Sequence, residues 1–230
     1  MTLHGIDASN WQPYLKPSKL QGIDFCIAKA TEGDYYVDPY CDGFIQDCIE
    51  HGILFGFYHF NGRGTPEREA EFFYSNCTGY IGHGIPVLDY ETSNGDDVEW
   101  CERFLQRFHD LSGVWPMIYM SEFHPIGIAK FAGSWIPEKC GLWCANYNRD
   151  YASWPTSDEC PVNPSPWEFV AIWQFASDFR ITGFHGNLDA DLAFMDRDAW
   201  GKYAKPDTST GAQPAAGKKT ITGRVTIELD

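Results

Sequence analysis

The stretch "IPVLDYE", residues 85–91, leads an apolar segment directly into two carboxylates. Alternate residues of a β-strand point to the same face, so Asp89 and Glu91 are predicted to project together and Tyr90 to the other side. At a rise of about 3.3 Å per residue, the two acidic Cα atoms would lie roughly 7 Å apart. A strand that only has to be buried gains nothing from two acids at its end, so the pattern predicts a functional site there.

Short apolar segments of this kind recur along the whole chain. The strand candidates are "HGIDAS" (4–9), "DFCIAKAT" (24–31), "ILFGFYHF" (53–60), "IPVLDYE" (85–91), "WPMIYM" (115–120), "GLWCANY" (141–147), "FVAIWQFA" (169–176) and "NLDADLAF" (187–194). Helical periodicity separates the early strands, whereas loops rich in Pro, Asn, Ser and Trp join the last three. This alternation predicts an α/β fold in which the strands close into a barrel.

The predicted helices have recognisable starts and apolar stripes. They cover Pro39–Gly52, a segment capped by Thr65 with Pro66 at its first position, Val98–Leu111, and a short helix from a Ser121 cap towards Phe131. Their positions between strands support the barrel.

Further acids stand near the ends of other predicted strands. Asp7 ends the first strand, Glu32 closes the second, and Asp189 and Asp191 lie in the eighth. The carboxyl ends of barrel strands form the active face, and the first and eighth strands are neighbours in a closed barrel. Carboxylates crowded on one rim cannot all be ionised, so at least one pKa should be raised. A protonated acid beside an ionised one is the arrangement that cleaves glycosidic bonds.

Two other interpretations of these acids remain open. Taken singly, each could be a solvated side chain or a helix cap, although this explains Asp89 and Glu91 together poorly. Clustered carboxylates also bind calcium or magnesium. The sequence has no EF-hand spacing, HExxH or Walker motif, which favours acid/base chemistry with no metal or cofactor.

Composition narrows the class of partner. With 17 basic and 32 acidic residues, the net charge of −15 argues against nucleic acid and against an anionic membrane surface. A neutral sugar chain is compatible with it, and the 16% aromatic residues supply either sugar platforms or core. No apolar run is long enough for membrane insertion, and the start, "MTLHGIDASN", shows no features of a signal peptide.

The eight cysteines are predicted to be buried free thiols. Without a signal peptide their even number is weak support for disulfides, and "CGLWC" (140–144) lacks the spacing of a zinc site. Residues 1–203 are predicted to form the barrel domain, 204–219 a linker, and 220–230 a short C-terminal strand. A lone strand needs another sheet edge, so a homo-oligomer through this strand is one possibility.

Taken together, these motifs resemble the family 25 glycoside hydrolases, which are peptidoglycan-cutting lysozymes of phages, bacteria and fungi. The resemblance runs from Gly5 to Phe194 through "GIDASNWQ", "FCIAKATEG", "FGFYHF", "PVLDYE", "MIYM", "LWCANY", "AIWQFA" and "LDADLAF". It implies an irregular TIM-like barrel with about five βα units closed by three further strands. It also implies hydrolysis of the β-1,4 bond between N-acetylmuramic acid and N-acetylglucosamine.

The resemblance also assigns roles to single residues. Glu91 is similar to the family's general acid/base and Asp89 to its partner carboxylate, in either a covalent or an acetamido-assisted mechanism. Asp7 and Asp189 resemble supporting carboxylates of the catalytic group. The residues implied in substrate binding are Glu32, Tyr58, Tyr119, Trp143, Tyr147, Gln174 and Asp191. Asp191 is a departure, because the family often has Asn there.

The implied partner is the glycan strand of peptidoglycan, and the implied setting is that of a phage or prophage endolysin. Such a protein would be released from the host cytoplasm by a holin, or be virion-associated or exported by another route. Two rivals remain: a catalytically silent wall-binding or virion structural module, and a chitinase-like hydrolase. The usual D-x-x-D-x-D-x-E of chitinases would require an acid where Val87 stands.

Overall fold

The computed structural model describes residues 2–95, 97–122 and 127–205. The strands in this part of the chain are β1 (Leu3–Ala8), β2 (Phe25–Glu32), β3 (Tyr36–Val37), β4 (Leu54–Phe60), β5 (Ile85–Asp89), β6 (Met117–Ser121), β7 (Leu142–Ala145), β8 (Ile172–Phe179) and β9 (Leu188–Ala193). The α-helices are α1 (Cys41–His51), α2 (Pro66–Cys77), α3 (Asp97–Ser112), α4 (Ile136–Lys139) and α5 (Arg197–Ala204). Short 3₁₀ helices cover Pro17–Lys19, Ile128–Phe131 and Ser157–Glu159.

Eight of these strands close into a barrel in the order β1-β9-β8-β7-β6-β5-β4-β2, and β1 also pairs with β2. Strand β3 is an extra strand that pairs antiparallel with β2. The neighbours from β1 through β2 and β4 to β8 run parallel, whereas β9 runs antiparallel to both β8 and β1. The predicted irregular α/β barrel is therefore confirmed. The sequence analysis missed β3, α4 and α5.

The core has two layers because side chains alternate along each strand. One layer fills the barrel and includes Phe25, Ile27, Val87, Met117, Trp143 and Ile172. The other lies between the strands and the helices and includes Cys26, Leu88, Ile118, Phe44, Phe73 and Phe104. The predicted apolar stripes of α1 and α3 are buried here, and each such side chain stabilises the fold by about 1.5–3 kcal/mol.

All eight cysteines are free, and seven of them are buried. The prediction of buried free thiols is thus confirmed except for Cys160, which is partly exposed. Burial raises the pKa of Cys144 to about 12, so its thiol is protonated and unreactive at neutral pH.

Three local predictions need correction. Ser121 ends β6 instead of capping a helix, and the short helix there is the 3₁₀ turn Ile128–Phe131, which follows Gly127 in the left-handed region at φ 57°. Thr65 occupies the N-cap position before Pro66, but its side chain makes no capping hydrogen bond. The strand predicted from residue 169 begins only at Ile172, and the residues just before it are irregular.

At the C-terminal end, Ala204 completes α5 and Lys205 caps it, so the predicted linker does not begin at residue 204. The rest of that linker and the predicted strand 220–230 lie outside the described residues. Within the described ranges, the helices are all too short or too polar to cross a membrane.

Candidate active site

Strand β5 brings the two acids of the "IPVLDYE" motif to the rim of the barrel. Asp89 is its last residue and is only 7% exposed, while Glu91 lies two residues beyond and is half-buried. Tyr90 points away into the outer layer, where its ring lies 5.3 Å from that of Trp100 and its hydroxyl donates to Asp97 at 2.9 Å. This confirms the predicted direction of Tyr90, although strand pairing stops at Asp89.

Asp89 keeps one oxygen uncommitted. Its Oδ1 is buried and accepts no hydrogen bond from any of the residues that the structure describes. Burial raises the pKa of Asp89 well above its ordinary value, and the neighbouring charge of Glu91 raises it further. The predicted crowding of charge at this rim is therefore confirmed.

A second group of acids lies on β1 and β9. Asp7 pairs with Asp189 in the β1–β9 register, and Asp191 pairs with Gln174 in the β8–β9 register. Because β9 runs antiparallel, its first residues lie at the same rim as the last residues of β1. The reversed direction of β9 is what brings Asp189 to the active face.

Side-chain donors hold this second group in place. Gln174 donates from Nε2 to Asp7 Oδ2 at 2.5 Å and accepts at Oε1 from the hydroxyls of Tyr119, at 2.8 Å, and Tyr147. Trp143 donates from Nε1 to Asp191 Oδ1 at 2.9 Å. Three of the predicted substrate-binding residues, Gln174, Tyr119 and Trp143, therefore make contacts inside the barrel.

The pKa values of the second group are all raised. Burial raises that of Asp7 well above normal, with further increases from the charges of Asp189 and Asp191. Burial raises that of Asp189 to about 6, with a smaller contribution from Glu91 across the rim. Burial also raises the pKa of Asp191, which is fully buried, although hydrogen bonds from Trp143 and from a protonated Asp7 offset part of the rise. At mildly acidic pH this group therefore holds protons that isolated aspartates would have lost.

Glu32 has a different environment from the other acids. Its Oε2 lies 2.6 Å from Nζ of Lys29, and its Oε1 accepts from the Tyr35 hydroxyl at 3.0 Å. Burial alone would raise the pKa of Glu32, but the hydrogen bond and charge of Lys29 outweigh it and lower the pKa overall. Lys29 also moderates the raised pKa of Asp89. The sequence analysis did not single out Lys29, because one lysine in an apolar strand carries no motif of its own.

The aromatic residues of the predicted groove differ in how deeply they are buried. Tyr58, Tyr119 and Trp143 are buried and pack together, with ring centroids 4.6 Å apart for Tyr119 and Trp143. Tyr147 is 49% exposed and presents a ring to solvent. Exposed rings that were not predicted as site residues follow β1 and β2; these are Trp11, Tyr14 and Tyr35.

The sequence analysis also missed Asn61, which follows β4 and contacts the backbone around Glu91. The available signal was its position, one residue beyond the strand that pairs with β5. Within the described part of the chain, no three His, Cys, Asp or Glu side chains are grouped so as to hold a metal ion.

Comparison with known proteins gives consistent matches. A family model described as glycosyl hydrolases family 25 matches residues 6–184. An N,O-diacetylmuramidase of Chalaropsis sp. is 26% identical over 218 residues, which cover 83% of this chain and 96% of that protein. The structure of a bacterial lysozyme from Streptomyces coelicolor superposes with a TM-score of 0.72 at 25% identity, covering 88% of this chain and 96% of that one. A family GH25 lysozyme from Aspergillus fumigatus gives a TM-score of 0.68 at 26% identity, covering 89% and 100%.

Proposed function

The chain belongs to family 25 of the glycosyl hydrolases, and we propose that it is a muramidase. Its substrate is peptidoglycan, and the bond cleaved is the β-1,4 bond between N-acetylmuramic acid and N-acetylglucosamine. One observation carries the proposal: the end of β5 presents a half-buried Glu91 beside a buried Asp89 that has an uncommitted oxygen.

Glu91 is assigned as the general acid/base. Its partial exposure lets the carboxyl reach the glycosidic oxygen and exchange protons with water. In the first step it donates its proton to the leaving oxygen as the bond to the anomeric carbon breaks. In the second step the resulting carboxylate accepts a proton from the water that attacks the anomeric carbon.

Asp89 is assigned as the partner carboxylate. In its ionised form, the uncommitted Oδ1 can face the positive charge that develops at the anomeric carbon, or orient the substrate's acetamido group. The covalent and acetamido-assisted routes both use this position. Asp89 has to be ionised to act, so its raised pKa sets the acid side of the activity profile.

The second acid group and the aromatic residues complete the proposed site. In addition to burial, the charge of Asp89 raises the pKa of Asp7, and the charge of Glu91 raises the pKa of Asp189. Asp7 and Asp189 therefore contribute to the electrostatic potential around the substrate. The exposed ring of Tyr147 lies just beyond β7, and Glu32, paired with Lys29, ends β2, so both stand where a sugar chain would pass. Tyr58, Tyr119, Trp143, Gln174 and Asp191 form the buried floor of the proposed groove.

The test compares Glu91→Gln with wild type on purified peptidoglycan. Gln keeps the size of the side chain but cannot deliver a proton, so the rate should fall by about 10²- to 10⁴-fold. Glu168→Gln is the matched control, because Glu168 is exposed and remote in sequence from the motif. Mass spectrometry of the reduced products should find N-acetylmuramic acid at the new reducing ends.

Other outcomes of this test would support one of the two rival functions. Wall binding by folded wild-type protein without new reducing ends would indicate a silent binding or virion module. Cleavage of chitin in preference to peptidoglycan would indicate a chitinase-like enzyme. A Glu91→Gln protein that turns over at the wild-type rate would overturn the catalytic assignment.

We propose cell-wall lysis as an endolysin for the biological setting. Expression in a bacterial host with and without a holin tests this: lysis that depends on both the holin and Glu91 supports it. Lysis of the culture without a holin would point to another export route, and lysis only by protein added from outside would contradict the endolysin role.

A further inference from the structure

We infer that Asn61 is a positioning residue for Glu91; this rests on the proposed function, which makes Glu91 the acid/base. Asn61 is the first residue after β4 and is 1% exposed. Its neighbour Phe60 pairs with Asp89 at the last step of the β4–β5 register. Asn61 therefore stands beside the point where β5 leaves the sheet.

The Asn61 side chain replaces the strand pairing that ends there. Its Oδ1 accepts from the backbone N–H groups of both Glu91 and Thr92, each at 2.9 Å. Its Nδ2 donates to the Thr92 carbonyl at 2.6 Å, and its own backbone N–H donates to the Asp89 carbonyl at 2.9 Å. One residue thus binds the backbone on both sides of Tyr90.

A buried polar pair fixes the segment that carries Asn61. Glu69 accepts from the backbone N–H of Gly62 at 2.7 Å and of Gly64 at 2.6 Å. It also pairs with His59 Nε2 at 3.0 Å, and both side chains are fully buried. The loop after β4 therefore cannot shift without disrupting buried hydrogen bonds.

The side-chain amide of Asn94 links the segment after β4 to the segment after β5. Asn94 donates from Nδ2 to the carbonyls of Gly62 and Thr92, both at 3.2 Å. Glu91 is thus held through its backbone, while none of the contacts of Asn61 described above uses the Glu91 carboxyl. This leaves the carboxyl free for substrate and fixes its starting point, which matters because a 1 Å misplacement can cost about 10²-fold in rate.

The experiment measures Asn61→Ala and Asn61→Asp in the full chain. Loss of the clamp should lower kcat by about 10- to 100-fold while KM stays within about twofold, because placement of the acid changes and substrate contacts do not. Asn61→Asp keeps the accepting oxygen but adds negative charge beside Glu91. Because the retained oxygen can still accept from the N–H groups of Glu91 and Thr92, Asn61→Asp should keep more of kcat than Asn61→Ala.

The matched control is Asn76→Ala, since Asn76 is exposed and, among the described residues, its side chain donates to the Phe72 carbonyl one turn back in α2. Thermal unfolding and near-UV circular dichroism show whether each variant is folded. Folded Asn61 variants with wild-type kcat, or with a raised KM and unchanged kcat, would overturn the inference. So would failure of both variants to fold, because Asn61 would then be only structural.

Wild type and Glu91→Gln are measured in the same assay to separate the two proposals. An active wild type with inactive Glu91→Gln and unaffected Asn61 variants overturns the positioning role alone. An inactive wild type overturns the proposed function and the inference with it.

Discussion

The two acid groups of the barrel rim are held in different ways. Strands β9 and β5 lie four strands apart in either direction around the barrel, so the groups face each other across it. Asp7 Oδ2 accepts from Gln174 and Asp191 Oδ1 accepts from Trp143, whereas Asp191 Oδ2 has no hydrogen-bond partner among the described residues. At the end of β5 the backbone is engaged instead, and Asp89 keeps an oxygen free among the described residues. Side-chain donors therefore fix carboxyls of the group on β1 and β9, whereas backbone hydrogen bonds fix the segment that carries Glu91.

The sharpest test of this contrast is Asp89→Asn against Asp191→Asn. Asp89→Asn should lower the rate by about 10²- to 10³-fold, because it removes the charge that opposes the developing cation. Asp191→Asn should stay close to the wild-type rate, since Asn keeps an oxygen that accepts from Trp143. Rates are measured on soluble glycan fragments. A larger loss in Asp191→Asn than in Asp89→Asn would reverse the contrast.

Asp191→Asn should instead change stability. The raised pKa of Asp191 means that the folded state holds a proton which the unfolded state loses near pH 4. Its contribution to stability is therefore present at low pH and lost as pH rises towards the raised pKa. We expect the free energy of unfolding at pH 7 to rise by about 1–3 kcal/mol in Asp191→Asn, and the gain to shrink near pH 4.

Denaturant titrations at the two pH values measure this difference. Asp198→Asn is the control, because Asp198 is exposed at the start of α5. Equal gains at pH 4 and pH 7 would mean that Asn improves packing and that the proton on Asp191 is irrelevant.

A smaller effect is expected at the β5 side from Lys29→Met. Burial raises the pKa of Asp89 and the Lys29 charge lowers it, so removing that charge should raise the pKa further. The acid limb of the activity profile, where Asp89 must lose its proton, should then move to higher pH. A pH profile of kcat/KM measures it, with exposed Lys19→Met as control. An acid limb that moves to lower pH would contradict the assignment of that limb to Asp89.

The smallest expected effect is that of a chelator. Activity in EDTA should equal activity without it. Both acid groups are assigned to proton transfer and electrostatic stabilisation, and neither is assigned to binding a metal ion. The assay is the same release of reducing ends. Activity lost in EDTA and restored by one divalent metal would assign the rim to a metal and remove the contrast between the two groups.

Elements with a long apolar pattern that becomes buried could be predicted from the sequence alone. All eight barrel strands were predicted, since each combines such a pattern with a nearby turn. The pair Tyr36–Val37 is too short to show alternation. Helix α5 was missed because only Trp200 and Ala204 among its residues are buried.

The site was predictable where chemistry follows from strand ends, and not where it follows from tertiary contact. Asp7 and Asp89 stand at strand ends that a reader of the sequence can locate. The direction of β9, which brings Asp189 to the rim, depends on pairing with β1 and β8. Asn61 acts through the backbone of a neighbouring strand, and no local pattern records such a contact.

The antiparallel β9 has a consequence for the order in which the protein becomes active. Among the described strands, β1 is the first in the chain and pairs with β9, the last, as Leu3 does with Ala193. A chain interrupted before residue 188 has Asp89 and Glu91 but lacks Asp189, Asp191 and the strand that joins β1 to β8. Pairing between segments this distant in sequence is slow, because the entropy of loop closure opposes it. The same strand therefore completes the barrel wall and the rim acids, so a partly synthesised chain holds the proposed acid/base without its full electrostatic surroundings.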